Sequence, residues 1–399
     1  MPNVSLVEAV APLVIAIDVG SSSVRTLVYD AVGNQVSGTE ARSSHTLRAD
    51  KDGASEADPD LLLDLLCRSL DRTLAESEAR AGDLAAVGMS CFWHGLMGID
   101  GEGAPTTPIY MWADKRAGGM VAGLASDYEP QEAVRLTGCR MHSSYWPAKL
   151  RWLRATNGQA FDSTSHWVSF PDYVSLKLTG SLRTSVSMAS GTGLMSSETT
   201  GWFEPMIRHA KIEPAQLPEI FDRDQPLPPL LPEFGERWPP LSTIPWFPAL
   251  GDGAAANVGA GCVGPDRIAL TVGTSGAMRT IVPISEEHDR VPPGQLWVYR
   301  LDRHREVIGG ALSNGGNVTA WLSETVSGRS MDDLTREAES VAPDGHGLTI
   351  LPFLAGERSP SWDDSATGVF AGLTLATAPA ELFRAILEAT AYRFAAIHD

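Results

Sequence analysis

The apolar positions of residues 13–41 come in short runs broken by small polar residues. In AIDVGSSSVRTLV, residues 16–28, two apolar runs flank an aspartate, a glycine and three serines. That pattern predicts strand, tight turn, strand, and a second break at VGN followed by a more polar run completes an antiparallel meander. The period then changes. ADPDLLLDLLCRSLDRTLAESEAR offers Asp58 as an N-cap and Pro59 at the first helical position, ahead of leucines on one helical face, so a helix of about five turns follows. LAAVGMSCF is next, a short buried strand. Strands, helix and strand in that order argue for an α/β layer.

Between 213 and 250 prolines crowd the chain, and the segment is expected to be irregular and to join two domains. Beyond it, RIALTVGTSGAMRTIV echoes the opening with one inserted residue: Val19-Gly20-Ser21-Ser22 lies on Val272-Gly273-Thr274-Ser275, and Arg25-Thr26-Leu27-Val28 on Arg279-Thr280-Ile281-Val282. Two such hairpins suggest two related domains facing one cleft, residues 12–250 and 251–399. Chance likeness of two short strand-turn-strand units is the competing explanation. The last helix carries an apolar stripe, Phe383, Leu387, Thr390, Phe394 and Ile397, built to lie against a sheet.

Composition narrows the partners. A chain of 399 residues, 43% hydrophobic and 20% charged, can bury more than one core. Its formal charge of −18 disfavours duplex DNA and anionic membrane surfaces, so no nucleic-acid or membrane partner is expected. Cys67, Cys91, Cys139 and Cys262 are scattered without zinc spacing, which fits reduced thiols in a cytoplasmic protein. No apolar run reaches the ~18 residues of a membrane span, and no basic leader precedes the first strand. A homodimer is compatible with the sequence, which specifies no oligomeric state.

The turns suggest chemistry. A glycine lets backbone approach a ligand, and successive amides with Ser or Thr hydroxyls form a nest for phosphate oxygens. Gly20, Ser21 and Ser22 in one turn, and Gly273, Thr274 and Ser275 in the other, are therefore candidate polyphosphate contacts, with Arg25 either a phosphate neighbour or a surface charge. Asp18, at the end of the first strand, suits Mg²⁺ bound directly or through water, or serves as an ordinary turn residue.

At this point the chain resembles the FGGY family of carbohydrate kinases. The likeness runs through DVGSSSVR, GMSCFWHGLMGID, WADKRA, FPDYVSLKLTG, GDGAAANVGAG, TVGTSG, VIGGALSNGGNVTAWL and LPFLAGERSPSWDDSATGVFAGLTLATAPAELFRAILEAT, in the family's order. The resemblance implies two ribonuclease-H-like, actin-like α/β domains that close on ATP and a sugar. Within the family WADKRA, TVGTSGAMRTI, VIGGALSNGG and LAGERSP are similar to the gluconate kinase branch, which implies ATP plus gluconate giving 6-phosphogluconate and ADP. Asp252 falls where the family keeps its catalytic aspartate, the general base towards the attacking hydroxyl. Phosphoryl transfer needs mainly alignment, charge neutralisation and one such carboxylate. Trp93-His94 occupies the place of an apolar-His pair that touches sugar, and Trp112 with Asp114 would stack on the ligand and bind hydroxyls, although both tryptophans could equally fill a core. Gly309, Gly310, Asn314 and Gly315 would line the nucleotide. A gluconate carboxylate needs a cation, for which Arg116, Arg140, His142 and Lys149 are candidates. Glu357 and Arg358 are expected to pair structurally.

Two departures qualify the likeness. Where the family signature around SSYWPAKLRWL has Pro, Ser or Thr, this chain has Trp146, which weakens the carry-over of gluconate specificity. Relatives also continue beyond the position of Asp399 by a stretch on the order of 100 residues. The expectation is a second domain that is incomplete, lacks the adenine-clasping turn, leaves the last helix's stripe exposed or borrowed by another chain, and supports weak ATP binding and slow or no turnover. A ketopentose such as xylulose is the nearest alternative substrate, and a non-catalytic sugar-binding remnant is the alternative of another class. An actin-like or chaperone-like ATPase would have no use for WADKRA and CFWHG.

Overall fold

The computed structural model describes residues 3–284, 296–363 and 365–399. Backbone contacts gather the chain into two units, Met1–Ala256 with Tyr299–Glu306, and Asn257–Val298 with Val307–Asp399.

The first unit is organised by the strand Leu13–Val19, whose Leu13, Ile15, Ile17 and Val19 are buried while the residues between them are half-buried. It pairs antiparallel with Ser23–Tyr29 on one side and parallel with Leu84–Cys91 on the other, and the two-residue strand Leu250–Gly251 adds parallel to Leu84–Cys91. Short strands at Asn3–Val4, Gln35–Val36 and Ala41–Ser44 extend the hairpin side of this seven-stranded sheet. The expected helix spans Pro59–Glu76, and the Asp58 carboxylate accepts from the amides of Asp60 and Leu61. Its Leu62, Leu66 and Leu70 are buried, and each such leucine contributes about 2 kcal/mol. Thr73 of the same face bonds hydroxyl to hydroxyl with Thr26 at 2.7 Å, fixing the helix on the sheet.

The proline-dense segment is largely irregular, as its composition requires, but it packs into the first unit instead of merely joining two domains. Trp238, Leu241 and Trp246 are buried. The Pro245 carbonyl and the Phe247 amide both bond to Val87, and Trp238 Nε1 donates to Asp71 at 2.8 Å. Proline removed the helix; the apolar side chains between the prolines supplied the packing.

The second unit carries a four-stranded sheet in the order Ala269–Val272, Gly276–Pro283, Arg305–Leu312, Trp297–Arg300. The helix Pro379–His398 buries Phe383, Ile386, Ala389, Thr390, Phe394 and Ile397. Its stripe is covered, not exposed: Phe394 and Ile397 cluster with Leu312 of the sheet, and Phe383 and Ile386 with Val318 and Leu334. One position departs from the expected stripe, since Leu387 faces outwards at 43% exposure and Ile386 takes the inner place. Among the described residues no helix is long and apolar enough to cross a membrane.

Candidate functional site

Parallel strands end together, and residues just past their carboxyl ends share one rim of a sheet. Here Asp18 is level with Ser90, Val19 with Cys91, and Leu250 and Gly251 with the same Ser90 and Cys91. Asp252 follows immediately as the first residue of the helix Asp252–Gly259, where the helix N-terminus favours a carboxylate. Two strand spacings put Asp18 and Asp252 on the order of 10 Å apart. Burial pushes the Cys91 thiol pKa well above the ordinary range, and the charges of Asp252, Asp172 and Asp18 push it further. Asp252 is exposed, and its Oδ1 accepts from the Gly253 amide at 2.7 Å.

The first turn leaves Ser21 and Ser22 exposed. Its backbone is closed by Gly20 N donating to Ser23 O at 3.0 Å, and it is tied to His45, whose amide donates to Ser22 O and whose Nε2 donates to Gly20 O. Arg25 lies opposite Asp18 in the hairpin and forms an ion pair with it.

The remaining sugar candidates separate by environment. His94 sits at φ +68°, a left-handed conformation that a non-glycine residue adopts only when its surroundings enforce it. Its Nδ1 donates to the Gly191 carbonyl at 2.6 Å, and its own carbonyl accepts from Lys149. Trp112 is half-buried. Asp114, by contrast, is 2% exposed, and its carboxylate accepts from the Ser55 amide and from the Arg116 amide and guanidinium. It braces the loop that carries Trp112 and has no surface to offer a hydroxyl. Trp93 is also buried; its Nε1 donates to the Ser187 carbonyl at 2.9 Å.

Two of the four cations proposed for a carboxylate are committed elsewhere. Arg116 bonds Asp114 and Glu56, each at 2.6 Å. Lys149 is buried, and its three protons go to the carbonyls of His94, Tyr110 and Met111 at 2.8, 3.1 and 2.8 Å. Burial brings the Lys149 pKa down to about 7, with Asp114 pulling it back up. Arg140 and His142 line one small cavity with Cys139, Met141 and Tyr145, and burial lowers the pKa of Arg140.

In the second unit Gly273 N donates to Ser275 O at 2.9 Å, closing a turn in which Gly273 and Thr274 are exposed. A third glycine-rich stretch packs directly on it: Gly316 N donates to Gly273 O at 2.7 Å and Asn317 N to Thr274 O at 3.2 Å. A Cβ on Gly315 would meet Ser275 C at 3.0 Å, tighter than most real Cβ contacts. The four nucleotide candidates of this stretch therefore divide. Gly315 abuts the turn. Gly309 and Gly310 are strand residues whose faces are filled by protein, since Cβ atoms there would meet Met278 O at 2.5 Å and Ile397 at 2.9 Å. Asn314 is buried, its Nδ2 donating to Gly356 O and its Oδ1 accepting from Ala355 N. Glu357 pairs with Arg393, and Arg358 donates to the Leu312 carbonyl.

Sequence reasoning missed Tyr145 and Tyr299. Their hydroxyls lie 2.6 Å apart, and both rings stand edge-on to His94, at 5.1 and 5.4 Å between centroids. Tyr299 belongs to the segment Tyr299–Glu306, which rejoins the first unit from a strand pair of the second. Alternation along WVYR marks a strand, but nothing local to it announces which unit its end packs against.

Residues 13–259 match the N-terminal domain, and residues 268–399 the C-terminal domain, of the FGGY family of carbohydrate kinases. The gluconokinase of Bacillus subtilis is 25% identical over 389 residues, covering 95% of this chain and 74% of its own length. The gluconate kinase of Lactobacillus acidophilus superposes with a TM-score of 0.86 at 29% identity, over 97% of this chain and 77% of its own. The ligand-bound xylulose kinase of the same organism superposes with a TM-score of 0.87 at 29% identity, over 96% and 76%. The chain belongs to the FGGY family of carbohydrate kinases, enzymes of two actin-like α/β domains that transfer a phosphoryl group from ATP to a sugar.

Proposed function

We propose that this chain phosphorylates gluconate, with Asp252 as the general base. The observation that carries the reading is the shared strand-end rim that bears Asp18 and Asp252. A gluconate hydroxyl oxygen attacks the γ-phosphorus of ATP, the bond from that phosphorus to the β–γ bridging oxygen breaks, and the hydroxyl proton passes to the Asp252 carboxylate. The products are 6-phosphogluconate and ADP.

The Gly20-Ser21-Ser22 turn offers amides and hydroxyls suited to phosphate oxygens, and the Gly273-Thr274-Ser275 turn offers the same groups. Among the described residues no three His, Cys, Asp or Glu side chains are gathered as a protein-only metal cage. One carboxylate beside phosphate oxygens is instead the donor set that Mg²⁺ favours, and Asp18 fits it. When bound there the ion would neutralise phosphate charge; Asp18 would hold it and Arg25 would turn to the phosphates. Arg140 and His142 line one small cavity together, and on this reading they would meet the gluconate carboxylate. The half-buried His94 and Trp112 would face the polyol.

Likeness to gluconokinases supports this substrate, and the equal 29% identity to the gluconate kinase and xylulose kinase structures keeps a ketopentose as the second reading. ATP consumption by the chain is to be compared across gluconate, xylulose, ribulose and glycerol. Gluconate is expected to give the highest kcat/KM; a preference for xylulose at equal enzyme concentration would refute the sugar-acid assignment and leave the kinase assignment standing.

A further inference from the structure

Trp93 has an unusual surrounding for a core residue, because the backbone of two glycines presses on its ring. A Cβ built on Gly251 would stand 1.9 Å from Trp93 Cε2 and 2.2 Å from Nε1, and one on Gly191 would stand 2.7 Å from Cδ1, all closer than real Cβ atoms come. The indole thus fills the space of two missing side chains, and one of them belongs to the residue immediately before Asp252. The ring is itself fixed. Its Nε1 donates to Ser187 O at 2.9 Å, while Ser187 Oγ accepts from the Gly251 amide at 3.1 Å. Tyr299 closes the other side edge-on at 5.0 Å. The strand end that presents Asp252 is therefore held at two points, by contact with the indole and by a hydrogen bond to the serine that orients the indole. The covered Gly191 also supplies the carbonyl that His94 Nδ1 grips at 2.6 Å.

We propose that Trp93 is a positioning residue for Asp252: it sets the height of Gly251 and so the reach of the carboxylate, and it does not touch the sugar. The inference rests on the reading of Asp252 as base. Phosphoryl transfer is sensitive to such placement, because a displacement of about 1 Å costs on the order of 10²-fold in rate. A sugar contact and a positioning role also differ kinetically. Loss of a contact made equally in ground and transition states raises KM, whereas a misplaced base lowers kcat.

The test is a mutant cycle on the full chain with its best sugar. Gly251→Ala inserts the clashing Cβ and is expected to lower kcat about 10²-fold while sugar KM moves less than about 3-fold. Trp93→Leu removes the ring atoms nearest that Cβ, so Gly251→Ala/Trp93→Leu should regain at least about 10-fold over Gly251→Ala. Ser187→Ala, a milder change should the alanine insertion not fold, is expected to lower kcat several-fold with KM unchanged. Crystal structures of the variants read the Asp252 displacement without any turnover. Unchanged kcat in both Gly251→Ala and Ser187→Ala, or a Trp93→Leu effect confined to KM, would overturn the proposal. Asp252→Asn separates the two levels: full turnover in that variant removes the base assignment, whereas a dead Asp252→Asn beside an active Gly251→Ala removes only the positioning.

Discussion

The two glycine-hydroxyl turns are near copies in sequence and differ in how they are built. Four residues separate the paired Val19 and Val24, but only three separate Val272 and Gly276, so the extra residue of the second hairpin lies in its returning strand and not in its turn. Arg25 consequently stands opposite Asp18, while Arg279 stands opposite Ala269. The partnership survives the shift: Arg279 donates to Thr271, the residue matching Asp18, and to Asn257. A carboxylate occurs in the first hairpin alone. Support differs as well, since His45 ties the first turn through polar bonds, whereas the second is pressed against Gly315 and Gly316. Alike as folding units, the hairpins are unlike as chemical ones: the first carries the charge that can meet a cation, and the second has a tightly packed backbone.

The sharpest contrast is between Asp18→Asn and Thr271→Val. Removing the carboxylate should lower kcat/KM on the order of 10² to 10³-fold, and removing the hydroxyl less than about 5-fold. Comparable losses in steady-state assays would erase the asymmetry. A smaller effect is expected on the packing side. Gly316→Ala places a Cβ 2.8 Å from Gly273 O and should cost about 2 kcal/mol and raise the KM for ATP. Gly20→Ala meets Ser23 O only at 3.5 Å and should stay within about 0.5 kcal/mol in denaturation. Equal sensitivity of the two glycines would contradict the difference in support.

A pH-dependent effect concerns the buried acid Asp172. Burial pushes the Asp172 carboxyl up to about 6, against hydrogen bonds from Ser169 and Thr184 that lower it. Between pH ~4 and ~6 the folded chain keeps a proton that the unfolded chain has released, so this group's contribution to stability falls as pH rises through that window. Relative to wild type, Asp172→Asn should therefore gain stability from pH ~4 to pH ~6.5; a thermal-midpoint difference flat across that range would contradict it.

Local signals carried much of the architecture. Asp58 and Pro59 fixed a helix start because capping involves only neighbours, and the hairpins were legible because turn and alternation are local too. What escaped depends on residues distant in sequence. Trp93 reads as a sugar-facing aromatic until Gly191 and Gly251 are seen to cover it. Lys149 reads as a free cation until three carbonyls from two other segments converge on it. Gly309 and Gly310 look like a ligand loop, yet they are glycines so that a neighbouring strand and the last helix can approach. Asp114 was expected to meet hydroxyls and instead answers Arg116. In each case the residue type was informative and its partner lay beyond any local window.

Asp252 is the general base of the proposed reaction, and replacing its carboxylate by an amide tests that proposal most directly. In Asp252→Asn, phosphoryl transfer to the preferred sugar should drop by at least about 10³-fold while calorimetric sugar affinity stays within a few-fold of wild type. Turnover within about 10-fold of wild type, at preserved sugar binding, would contradict the account.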